Sequence, residues 1–122
     1  NPDQYLMVSL NHYEEDITEL LKSDLETFGD NVISSTPDIK EVNVTQKEEI
    51  KIGKDDAIRL VAEMKTVDNY EVKSQILYLV RNNTVMGEDF HFLFTIEFGS
   101  DKKYYDEHET EITNIIDSFK LE

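Results

Sequence analysis

The segment His108-Glu-Thr-Glu-Ile112 comes nearest to a metal-binding motif in this chain. A zinc-protease helix places a second histidine four residues after the first, so that both imidazoles face one ion. Here that position is Ile112, whose spacing assigns it to an apolar helical stripe. The motif is therefore incomplete, and His108 reads as a partly buried structural histidine at the stripe's edge. Acidic clusters occur at Glu14, Glu15 and Asp16, at Asp55 and Asp56, at Glu88 and Asp89, and at Asp101 with Asp106 and Glu107. Calcium needs several hard oxygens spaced along a looped backbone. Lys102 and Lys103 stand where such a loop would place ligands or tight turns. These clusters read as solvated turns and helix caps ahead of weak, opportunistic cation sites.

Other chemistry has less support. No Gly-x-Ser-x-Gly elbow occurs, and the serines fall in turns or polar strand positions. The four glycines, Gly29, Gly53, Gly87 and Gly99, form no phosphate-binding loop. A pair of glycosidase carboxylates could lie far apart in sequence, but a chain this small without tryptophan disfavours that reading. Tyr70, Tyr78, Tyr104 and Tyr105 are candidates for a binding patch, against the commoner role of sealing a core. Asn43-Val-Thr45 and Asn82-Asn-Thr84 are formal glycosylation triplets that arise often by chance. No catalytic, cofactor-binding or metal-ligating residue is assigned.

A chain of 122 residues fits one domain with a core of its own. The hydrophobic fraction of 39% and charged fraction of 32% are those of a folded, polar-surfaced protein. With 27 acidic against 12 basic residues, the net charge is −15. Such a surface repels phosphate backbones and anionic lipid, so nucleic acid is excluded as a partner and a membrane is approached only through an anchor. Cysteine is absent, which removes disulfides, thiolate metal sites and cysteine nucleophiles. No apolar run reaches membrane-spanning length. The sequence opens at Asn1 rather than Met, as a mature or trimmed chain would, and any export signal or lipid-anchoring cysteine would lie upstream.

Periodicity supplies the elements that would position these residues. Leu6 to Asn11 reads as a short strand with Leu6, Val8 and Leu10 on one face. Asp16 can cap a helix in which Ile17, Leu20, Leu21, Leu25 and Phe28 form one stripe and Gly29 supplies the stop. Residues 30–40 read as turn, with Pro37 against a strand interior. Strands follow at Val42 to Ile52, Ala57 to Met64, Val72 to Arg81 and Phe90 to Phe98, separated by "GKDD", "VDNY" and "NNTVMGED". The third of these carries Ile76-Leu-Tyr-Leu-Val80, apolar on both faces, as a central strand would be. Phe90, Phe92, Phe94, Ile96 and Phe98 share one face of the last strand. From Asp101 to Phe119 the spacing predicts one amphipathic helix, with Tyr105, His108, Ile112, Ile115, Ile116 and Phe119 on its stripe and Lys120 off it. The phenylalanine ribbon and that stripe should bury each other, leaving no pocket between them. The order β-α-β-β-β-β-α predicts an α+β fold, a twisted antiparallel sheet packed against helices.

The stretches "IKIGKDDAIRLVAEMK", "VKSQILYLVRNN" and "FHFLFTIEFGSDKKYYDEHETEITNIIDSFK" resemble the PsbP-like and DcrB-like superfamily, which includes a nuclear import factor that binds the Ran GTPase. The family style is a strand ending in a Gly turn, an Ala opening the next strand, and a helix closing on "I..SF". Here those are Gly53, Ala57, and Ile115, Ile116, Ser118 and Phe119. The likeness spans roughly residues 42–120, with a looser fit from Leu6 to Phe28. Relatives begin with a further strand or hairpin carrying a Pro-Gly-Trp-like turn, which this chain lacks. The resemblance implies a single non-enzymatic domain with a protein partner: an extracytoplasmic accessory module of a bacterial lipoprotein, secreted or envelope-bound. The alternative is an intracellular adaptor chaperone that shields an apolar segment of a secreted protein. An enzyme ranks third and would need a cleft of convergent polar groups. No cofactor is implied.

Overall fold

The computed structural model describes residues 4–119. Strands β1 (Tyr5–Tyr13), β2 (Ile39–Ile52), β3 (Asp55–Thr66), β4 (Glu71–Val85) and β5 (Glu88–Asp101) form one antiparallel sheet in the order β1-β5-β4-β3-β2. Helices α1 (Thr18–Glu26) and α2 (Phe28–Ser35) connect β1 to β2, the two edge strands. Helices α3 (Lys102–Glu107) and α4 (Glu109–Asp117) follow β5. The fold is α+β, with helices on both faces of the sheet, as the spacing predicts.

β4 is the middle strand, and its double-sided apolar run divides as a strand period requires. Ile76 and Val80 join Ile58, Leu60, Ala62 and Leu93 beneath Ile17, Leu21 and Leu25 of the first helical segment. Leu77 and Leu79 join Ala57, Val61, Ile96 and Phe98 beneath Tyr105, Ile112 and Ile116 of the closing helices. The sheet thus separates two apolar layers. The expected contact between the phenylalanine ribbon and the C-terminal stripe forms at Phe98 and Ile96, with Phe94 at its margin. Phe90 and Phe92 extend past it and stack on each other at 6.4 Å between centroids, with His12 5.3 Å from Phe92.

Several expectations are corrected. Gly29 does not stop the first helix. That helix ends at Thr27 and a second begins at once, so residues 30–35, expected as turn, are helical. A Cβ at Gly29 would lie 3.5 Å from Val42, an ordinary contact, so the packing there does not require glycine. Leu20, placed on the buried stripe, is 59% exposed. The predicted single C-terminal helix breaks at His108, whose φ of −124° separates α3 from α4. Ile115 faces solvent, and Lys120 lies outside the described residues. Asp16 is not the N-cap, which is Ile17; it stands one residue earlier and accepts from the Thr18 backbone N–H at 2.9 Å.

The hairpin ends follow turn chemistry. Gly53 and Gly87 hold positive φ of 62° and 82° in two-residue connections, which suits the primed turns that join twisted strands. Met86, beside Gly87, also has positive φ, at 53°.

Candidate functional site: a groove on the helix α2 face

The route of the first two helices leaves one corner of the sheet open. α1 starts at the Tyr13 end of β1 and packs over Ile58, Val80 and Leu93, while α2 lies along β2. Neither reaches the other end of β1. There the pairing register aligns a row of small residues across three strands: Ala62 faces Ser74, and Ser74 faces Gly99. Of this row, Ser74 and Gly99 make the floor of a groove, and Ala62 is buried beside it. Phe28, Val32 and Met64 rise on one side, with Tyr78 further along, and Tyr5 on the other. The groove's volume is about 390 Å³, within the ~300–1,000 Å³ of small-molecule sites.

Gly99 shapes the far wall. The Tyr5 ring lies directly across it, so that a Cβ on residue 99 would collide with the ring. This brings the Tyr5 hydroxyl to Glu97, to which it donates a hydrogen bond. Burial, the hydrogen bond to Glu97 and that carboxylate's charge together raise the Tyr5 phenol above its ordinary value. Tyr78 is raised by burial first and by Glu97 second. Both hydroxyls therefore stay protonated at neutral pH. In the floor, Ser74 is 1% exposed, and its Oγ has no hydrogen-bond partner. A buried hydroxyl without a partner is uncommon and calls for an explanation.

The opposite face carries its polar groups in a finished network. Gln75, buried, donates through Nε2 to Tyr105 Oη at 2.8 Å and Thr113 Oγ1 at 3.1 Å, and accepts from Arg59 at 2.6 Å. Arg59 continues to Asp117 at 2.8 Å. Lys73 bonds Asp106 at 3.0 Å and lies 4.9 Å over the Tyr105 ring. These contacts clamp α3 and α4 to the sheet.

Of the four tyrosines considered from sequence, Tyr78 borders the groove, Tyr105 is sealed in the opposite core, Tyr104 stacks on His108 at 4.1 Å, and Tyr70 lies exposed. His108 bonds the Tyr104 carbonyl through Nδ1 at 2.9 Å, as a structural histidine does. The acidic clusters are drawn into local bonding. Asp101 accepts from the Tyr104 N–H at 3.0 Å, Asp89 accepts from Thr84 at 2.6 Å, and Asp106 takes Lys73 and Lys102. Asp55 departs from its reading as a solvated turn: it is buried and holds Arg81 through two oxygens. Among the described residues, no group of three or more His, Asp or Glu side chains is placed to hold a metal ion. Ser74, Glu97, Gly99 and Tyr5 were not singled out from sequence, because only the strand register brings them together.

No protein-family profile matches the chain, and no curated protein is similar to it in sequence. Solved structures are similar in fold. The solution structure of cyanobacterial PsbP (CyanoP) from Synechocystis sp. PCC 6803 superposes with a TM-score of 0.69 at 14% identity, over 100% of this chain and 69% of that one. A Pseudomonas aeruginosa protein of unknown function, PA94, superposes with a TM-score of 0.59 at 9% identity, over 98% of this chain and 85% of that one. The fold is PsbP-like.

Proposed function

We propose that this chain is a non-catalytic binding domain, an accessory module that works outside the cytoplasm and is held at the cell envelope by an upstream lipid anchor. The groove carries the binding part of this reading. It is an open, mostly apolar hollow bordered by a few polar groups, Tyr5, Ser74 and Glu97, the make-up of a small-molecule site. The PsbP-like fold and the sequence resemblance support an accessory role by analogy. The net charge of −15 favours an anchor over direct adhesion to anionic lipid.

Titration of the isotope-labelled protein with octanol, followed by amide NMR, tests the binding reading. Shifts confined to Ser74, Gly99 and their neighbours are expected. No shift there with any eight-carbon amphiphile overturns it. Cells expressing the full precursor test the location. Protein in the membrane fraction and open to external protease is expected, and a protected cytosolic protein refutes the placement.

One observation favours a second reading, an intracellular adaptor chaperone. Leu6, Val8 and Leu10 stand exposed in a row on β1, a free edge strand. Apolar residues on an open edge suit the capture of an extended segment. A monomer that leaves the β1 amides unmoved by an apolar peptide removes that reading.

A further inference from the structure

Glu97 lies in the groove without a cation. Among the described residues its carboxylate has the Tyr5 hydroxyl as its hydrogen-bond partner and forms no ion pair. Lys73, the lysine that borders the hollow, turns its ammonium to the opposite face, to Asp106 and Glu63. The half-buried carboxylate therefore stands uncompensated beside two tyrosine rings, Tyr5 and Tyr78, that border the same hollow. Aromatic faces and a carboxylate attract the same kind of group, an organic cation. The remaining surface is apolar and would accept a hydrocarbon tail.

We infer that the groove binds an amphipathic organic cation, its ammonium head against Glu97 between Tyr5 and Tyr78 and its apolar tail along the floor toward Phe28 and Met64. This inference rests on the reading of the groove as a binding site and adds the chemical class of its occupant. A carboxylate can accept the Tyr5 hydroxyl and an ammonium together, since it offers several lone-pair directions. A fatty-acid-like anion would meet Glu97 with like charge, and a neutral alcohol could donate a hydrogen bond to the carboxylate but bring no compensating charge.

The test compares octyltrimethylammonium, octanol and octanoate, each titrated as a monomer and followed at the Ser74 and Gly99 amides. The cation should bind about tenfold tighter than octanol, and octanoate weakest. Glu97→Gln should remove the preference and leave octanol affinity unchanged. Glu107→Gln, an exposed acid beyond the groove, should leave the preference intact, which separates a local charge from the net charge of −15. Ser74→Val, checked for an unchanged circular dichroism spectrum, should exclude all three ligands by filling the floor. Equal affinity for the three ligands overturns the inference and leaves the binding groove standing. So does a preference eroded as much by Glu107→Gln as by Glu97→Gln. Absence of binding by all three defeats the binding groove itself.

Discussion

At the scale of single residues, the charged groups divide by burial. Arg81 and Asp55 meet at 2.7 Å with side-chain exposures of 16% and 9%. Removing one partner leaves an uncompensated charge in a poorly hydrated place. Arg81→Met should therefore destabilise the protein by about 3 kcal/mol, read by urea unfolding. Adding Asp55→Val should restore part of that loss, because the surviving carboxylate is then gone. Asp106 is more exposed. The hydrogen bond from Lys73, then that from Lys102, holds its carboxyl below the ordinary 3.8. A depressed carboxyl stabilises the fold above its ordinary value and stops doing so as pH falls through the lowered one. Asp106→Asn should cost at most about 1 kcal/mol at neutral pH. Unfolding curves taken at successively lower pH should show that cost shrinking below the ordinary value of 3.8, and a constant difference would contradict the assignment.

At the scale of elements, two local conformations make sharp predictions. Met86 is almost fully exposed at the β4–β5 hairpin tip with positive φ, where asparagine or glycine is at ease and methionine is not. Met86→Asn should stabilise the hairpin by about 0.5–1 kcal/mol, seen as a raised Tm. Gly99→Ala should cost about 1–3 kcal/mol, because the new methyl group meets the Tyr5 ring. In a Tyr5→Ala background the same change should cost much less, and equal costs in both backgrounds would refute the close contact. Much of this level was readable from the chain. The strand alternation at Ile58, Leu60 and Ala62, and the two-sided run at Ile76 to Val80, specified the layers. Helix α2 was hidden because only Phe28 and Val32 border the groove from it, and its glycine, asparagine and serines imitate a turn. Asp55 looked like a turn acid because its partner lies on the neighbouring strand. The groove was unreadable for the same reason: Ala62, Ser74 and Gly99 are unremarkable until the register lines them up.

At the scale of the whole molecule, strands β2 to β5 form a chain of neighbouring hairpins, whereas β1 pairs with β5 from the far end of the sequence. Tyr5 and Glu97 are separated by 92 positions. Hairpins close over short loops, while the β1 pairing must close a long one. Leu6, Val8 and Leu10 on one of its faces, and Met7 on the other, stay exposed. β1 should accordingly be the least protected strand in amide hydrogen exchange and β4 the most, with equal protection contradicting the view. The far wall of the groove is thus also the seam of the sheet. A guest held against Tyr5 would act as a late rivet, fastening the last strand to the rest, and its departure would let that margin breathe.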